Sequence, residues 1–252
     1  MNRLRPRPAG RPFTRYALNL WQRSPRGRRL LALEERELRR VLPELFGRHL
    51  LQLGNWDRDG RLTSSAATLH RATIGTHLGA AALIEPERLP LPDRSIDAVV
   101  LPHSLEFSTD PRALLREVNR VLTDRGTAVV LGFNPWSAWG VRRWFGLRYR
   151  AFPEGARFVS AGRVCDWLEL LDFEVTQIRR FGIGFPWLAS GDDSLGRAAQ
   201  EAWMLVARKR VLPMNWVGRL PMSRVAALPG RVVVPNARTI RSANDDMDGY
   251  EA

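Results

Sequence analysis

Residues 89–135 read LPLPDRSIDAVVLPHSLEFSTDPRALLREVNRVLTDRGTAVVLGFNP, and this stretch decides the fold. Residues 96–101 (IDAVVL) are a short apolar run with β-branched side chains, the pattern of a strand buried on both faces. Asp110 suits a helix N-cap, and Pro111 suits the first helical position, where its missing N–H costs nothing. Leu114, Leu115, Val118, Val121 and Leu122 then recur at helical spacing. Asp124-Arg125-Gly126 predicts a turn that ends the helix on a left-handed glycine. Residues 127–133 (TAVVLGF) predict a second buried strand. Strand, helix and strand make a βαβ unit, which requires a parallel sheet with a right-handed crossover.

Upstream, residues 26–46 have a helical pattern with Leu30, Leu31, Leu38, Val41, Leu42 and Leu45 on one face, charges on the other, and Pro43 shortening the last turn. This helix is expected to cover the sheet and edge a ligand pocket. Residues 49–53 (HLLQL) predict a strand that runs into Gly54-Asn55-Trp56-Asp57. A strand ending in glycine and a polar turn is either a plain loop or the place where an open α/β sheet holds its ligand, and the context favours the ligand. Further strands are expected at 67–73 and 79–84. His70 and His77 read as surface or loop residues, without companions at metal spacing, and no metal site is expected.

Downstream, Trp136, Trp139, Trp144 and Phe145 interleave with Arg142, Arg143 and Arg148. This segment caps a pocket, stacks on a planar substrate or meets RNA, or else forms an amphipathic lid that packs its aromatics on the core. A helix over 159–171, N-capped by Ser160, precedes strands at 173–181 and 201–211, which predict an antiparallel closing hairpin. The predicted organisation is a flexible Arg/Pro-rich arm over 1–25, an α/β domain over 26–212 and a mostly disordered tail over 213–252.

The formal charge of +13 is uneven: nine arginines and no acid lie in residues 1–33, whereas residues 34–210 carry only +3. Lys209 is the only lysine, and such an arginine bias follows from a GC-rich genome more simply than from nucleic-acid binding. Nucleic acid is therefore a possible partner, not the favoured one. Cys165, the only cysteine, excludes an internal disulfide and reads as a core residue. No stretch approaches the roughly 20 apolar residues of a membrane span. The Arg-rich start lacks the apolar core of a secretory signal, and a cytoplasmic location is expected.

The order of these elements, with Glu85, Leu89-Pro90-Leu91, Asp93 to Ser95, Ile96-Asp97-Ala98 and Arg120-Val121-Leu122-Thr123-Asp124-Arg125-Gly126, resembles the class I S-adenosylmethionine-dependent methyltransferases of the type-11 group. The LLQLGN and GFNPWS runs are similar to a small subgroup of uncharacterised bacterial proteins within it. The resemblance implies a Rossmann-like α/β fold in three layers, with a mostly parallel sheet of seven strands (or fewer) closed by an antiparallel hairpin. It implies S-adenosylmethionine as cofactor. It assigns Gly54 to the first glycine of the nucleotide loop, with Asn55, Trp56 and Asp57 following it. Glu85, next to Pro86, matches the acidic residue that accepts from the adenine amino group. Leu101, Pro102 and His103 line the methyl-transfer site. The chain departs from the family's Gly-x-Gly-x-Gly at Trp56 and Arg58, and Trp56 either swings outward or occupies cofactor space.

Methyl transfer from a sulfonium needs mainly positioning and desolvation. A base is required only when the acceptor must lose a proton. His103 is the candidate, or else it simply shapes the pocket. Asn134 either orients a polar substrate or caps the segment that follows it. The leading expectation is methyl transfer to a small or medium-sized acceptor. The alternatives are a catalytically inactive binding or scaffold protein, and a nucleic-acid binder using the N-terminal arm. A nicotinamide-dependent reductase is disfavoured, since no G-x-G-x-x-G follows the first strand.

Overall fold

The βαβ unit sits in the middle of a seven-stranded sheet. The computed structural model describes residues 22–54, 56–57, 60–75, 82–83, 87–137, 140, 157–182 and 200–210, which all fall in one compact unit ending at Leu212. The N-terminal arm up to residue 21, residues 138–139 and 141–156 of the aromatic–arginine segment, the loop 183–199, and the chain from 211 onward lie outside the described residues, as does His77.

The strands are β1 (His49–Leu53), β2 (His70–Gly75), β3 (Ala82–Leu83), β4 (Ile96–Pro102), β5 (Leu122–Phe133), β6 (Phe173–Phe181) and β7 (Ala202–Lys209). Their spatial order is β3-β2-β1-β4-β5-β7-β6. Neighbours from β3 through β5 pair in parallel, and β7 lies antiparallel between β5 and β6. This is the mostly parallel Rossmann-like sheet with a closing hairpin that the sequence implied.

Helix α1 (Pro25–Val41) starts at Ser24, whose hydroxyl accepts from Gly27 N at 3.1 Å. It ends five residues earlier than expected. Pro43 has no N–H for an i→i−4 bond, and residues Leu42–Glu44 tighten into a 3-10 turn. The expected separation of faces is also corrected. Glu34 and Glu37 are buried beside Leu30, Leu38 and Val41.

After β4 comes a one-turn helix, α2 (Ser104–Phe107), then α3 (Pro111–Val121). Asp110 caps α3 by accepting from Arg112 N and Ala113 N, both at 3.0 Å. The predicted glycine turn at 124–126 is absent. Leu122 is already extended, and residues 123–126 form an irregularity in β5 between the pairs Ile96–Leu122 and Ala98–Thr127. The role of a C-terminal cap passes to Lys209, whose Nζ donates to the carbonyls of Asn119 (2.7 Å) and Leu122 (3.2 Å).

Helix α4 (Ala161–Glu169) is capped by Ser160, as expected. β2 begins three residues later than expected, because its parallel register starts at His49–His70; Leu69 stays exposed. β3 is described at Ala82–Leu83, and the rest of the expected strand at 79–84 lies outside the described residues.

Two apolar layers sandwich the sheet. On one side Leu114, Leu115 and Val118 of α3 and Val164 and Leu168 of α4 cover Leu53, Val99, Leu101 and Val130. On the other, Leu30, Leu38 and Val41 of α1 cover Leu50, Val100, Val129, Leu131 and Phe133. The result is three layers, with α1 lying over the strands that carry the site.

Candidate functional site

The strand order changes direction between β1 and β4: β1 leads outward to β2 and β3, and β4 leads to β5. Open α/β sheets bind ligands at such a switch point, beyond the carboxyl ends of the strands. Here those ends are Leu53-Gly54 and Pro102-His103.

Gly54 leaves β1 at φ +100°, and an added Cβ would lie 2.7 Å from Ser104 Oγ. The Ser104 hydroxyl donates to the Leu53 carbonyl, so Gly54 is required by the close approach of the α2 start. The chain then turns inward. The Asp57 carboxylate accepts from Gln52 Nε2 (2.6 Å) and from Leu62 N (3.0 Å), organising the loop from within. The Trp56 ring is 4% exposed and packs under α1.

His103 follows β4 in the left-handed region, at φ +53°, a conformation uncommon outside glycine and often found at functional sites. Its ring is completely buried between Trp56 (centroids 4.1 Å apart) and Phe133 (3.9 Å, nearly parallel). Nε2 lies 2.6 Å from Glu34 Oε1, and Nδ1 lies 3.6 Å from Glu106 Oε1. Glu34 Oε2 accepts from the Trp56 indole N–H at 2.5 Å, and Glu106 Oε1 accepts from Phe133 N at 2.7 Å. Three elements, α1, α2 and the loop after β1, thus converge on one imidazole. Burial by itself pushes its pKa down. The charge and hydrogen bonds of Glu34 and Glu106 outweigh that, and His103 is raised from 6.5 to about 9.

These contacts revise the roles read from the sequence. A general base needs a free lone pair facing its substrate. His103 keeps its proton past neutral pH, has Nε2 bonded to Glu34, and has both ring faces covered, so this arrangement does not provide the base. Leu101 alternates onto the α3 and α4 side and belongs to that core, not to the crevice. Pro102 is buried at the end of β4. Asn134 uses its amide on the turn after β5: Oδ1 accepts from Trp136 N (3.1 Å) and Nδ2 donates to Gln200 O (2.9 Å). Asn55, Glu85 and Pro86 lie outside the described residues.

Two residues were missed. Glu34 lies four positions from both Leu30 and Leu38, a carboxylate within an apolar stripe, and that placement was a readable signal. Glu106, between Leu105 and Phe107, gave none. Among the described residues no group of His, Cys, Asp or Glu could hold a metal ion, and no helix is long and apolar enough to cross a membrane.

The sheet order and the crevice define a class I methyltransferase fold, and comparison with known proteins agrees. A sequence profile described as a methyltransferase domain matches residues 63–130. The uncharacterised protein YafS of Escherichia coli K12 is 34% identical over 213 residues, covering 83% of this chain and 88% of its own. A methyltransferase from Archaeoglobus fulgidus superposes with a TM-score of 0.59 at 20% identity (76% of this chain, 99% of that one), and one from Thermotoga maritima with 0.55 at 18% (77% and 100%). Both are S-adenosylmethionine-dependent. The chain belongs to one family with YafS, and its methyltransferase-domain match and fold place it among the class I S-adenosylmethionine-dependent methyltransferases.

S-adenosylmethionine is the cofactor of that family. In this conformation the described residues do not form a receptacle for it. The Trp56 ring lies against His103 at the carboxyl end of β4, and the Asp57 carboxylate is bonded inward.

Proposed function

We propose that this protein binds S-adenosylmethionine at the switch point between β1 and β4 and transfers its methyl group to a small or medium-sized acceptor. The observation that carries the reading is the buried Glu34–His103–Glu106 cluster at that point. A strongly shifted imidazole at the carboxyl end of a parallel strand is a functional-site candidate, and burying such a group without a use is costly. In this reading His103 is a charged wall that shapes the site, and the acceptor is one that needs no base from it. Gly54 supports the cofactor side through its backbone, with Asn55, Glu85 and Pro86 completing that side.

A second reading is favoured by one observation. With Trp56 filling the crevice, the fold serves as a binding or scaffold protein without catalysis. Titration calorimetry with S-adenosylmethionine and S-adenosylhomocysteine separates the two, on the full chain and on a variant lacking the Trp56 ring. Heat of binding is expected. None in any of these titrations overturns the methyltransferase reading and leaves the scaffold.

A further inference from the structure

The amino end of β4 opens, at Asp97, into a cleft of about 370 Å³, within the size range of small-molecule sites. At about 3.3 Å per residue along the strand, the cleft lies roughly 20 Å from His103. Its charges come from different elements: Glu44 from the 3-10 turn after α1, Asp97 from β4, Arg125 from β5 and Arg208 from β7. Ala98, Thr127 and Arg208 stand in one row across β4, β5 and β7, which sets acid and guanidinium about two strand spacings, or roughly 10 Å, apart at the backbone. The Asp97 carboxylate is held in place because Oδ2 accepts from Arg48 N (2.7 Å) and His49 N (3.0 Å). Among the described residues Glu44, Arg125 and Arg208 make no ion pair; Glu174, opposite Arg208 on β6, is taken by Arg210 at 2.8 Å. Two irregularities of the sheet feed this lining. Residues 123–126 of β5 supply Thr123 and Arg125, and the break in register between Val175 and Gln177 on β6 supplies Thr176. Such breaks re-aim side chains and are common beside binding sites. Val41, Leu45 and Val206 add an apolar surface, and Phe46 lies beside them with its ring 82% exposed.

We propose that this cleft binds a small zwitterion with an apolar body, its ammonium group toward Glu44 and Asp97 and its carboxylate toward Arg125 and Arg208. The two acids and two arginines of the lining cancel. A plain anion would therefore meet two carboxylates and a plain cation two guanidiniums, whereas a ligand carrying both charges is complementary to each set. The apolar body covers Val41, Leu45 and Val206 and gives the Phe46 ring a partner. This site is separate from the switch point between β1 and β4, and the proposal does not depend on methyl transfer there.

The test follows amide correlation NMR spectra of the full-length protein titrated to about 10 mM with L-phenylalanine, with phenylpropionate (the same body, anion only) and with phenethylamine (cation only). L-phenylalanine is expected to shift the amides of residues 123–127 and 206–208 and to saturate at a lower concentration than either single-charge analogue. Arg125, Arg208 and Glu44 are exposed, so their substitution leaves the core intact. Arg125→Ala and Arg208→Ala are expected to weaken L-phenylalanine about tenfold and to leave phenethylamine unchanged. Glu44→Gln is expected to weaken L-phenylalanine and phenethylamine but not phenylpropionate. No shift of those amides with L-phenylalanine, equal binding of phenylpropionate, or binding that survives both arginine substitutions overturns the proposal.

Discussion

The cluster around His103 makes a quantitative prediction about stability and pH. In the native protein the group is raised from 6.5 to about 9, with Glu34 and Glu106 as the raising partners against burial. A group whose folded pKa exceeds its unfolded value stabilises the folded state fully below the unfolded value. That contribution is lost as pH rises through the folded value. The window therefore runs from pH 6.5 to about 9. Because the ring is completely buried, solvent screening takes little away, and the shift amounts to roughly 3 kcal/mol at about 1.4 kcal/mol per pH unit. The assay is urea denaturation of the wild type and of Glu34→Gln at intervals between pH 6 and 9.5. Wild-type stability should fall across the window. Glu34→Gln removes the charge nearest Nε2, and its stability should be lower at pH 6 but change much less with pH. A wild-type curve that is flat from 6.5 to 9, or a variant curve parallel to it, refutes the charged-cluster argument.

Two further substitutions probe the walls of the same region. At Gly132 an added Cβ would lie 2.3 Å from Trp203 Cζ2 and 2.9 Å from Glu106 Oε1, so Gly132→Ala should cost about 1–3 kcal/mol by overpacking, read as a lower melting temperature. An unchanged melt would mean that β5 and β7 have room the contacts do not show. Asp57→Ala should cost about 2 kcal/mol, since Leu62 N and one bond of Gln52 lose their buried acceptor, whereas Asp57→Asn, which keeps one carbonyl oxygen, should cost less. Chemical denaturation distinguishes the two variants, and equal losses would argue against the bonding described for the loop.

The parts of the fold that were legible in the sequence are those set by neighbours along the chain. Asp110 and Pro111 announce α3, Ser160 announces α4, and the apolar runs at 96–101 and 127–133 announce strands, because caps and periodicity act within a few residues. What was not legible depends on partners far away. The end of α3 was read from Gly126, yet the carbonyls there are satisfied by Lys209, 87 and 90 residues distant. The start of β2 follows from its register on β1, not from its own composition. At the site, His103 was identifiable by position at the end of β4, but its chemistry was not. The group that sets its charge state, Glu34, is 69 residues earlier. Reading the charges of α1 as a solvated face hid it.

The loop after β1 departs from the family's glycine pattern, and from sequence alone this looks like decay. The contacts argue for replacement instead. Trp56 in place of a glycine needs somewhere to put a ring and an N–H, and it has both: the face of His103 and the carboxylate of Glu34. Gln52 and Asp57 bond each other, and Asp57 also accepts from Leu62 N on the far side of Gly60. Random loss of a binding loop removes constraints; it does not supply a buried carboxylate on a separate helix at hydrogen-bond distance from the new side chain. The pairing of Trp56 with Glu34 therefore favours a rebuilt loop over a vestigial one, and Trp56→Phe, which removes the indole N–H that Glu34 accepts, tests it: an unchanged melting temperature would argue against the rebuilt loop.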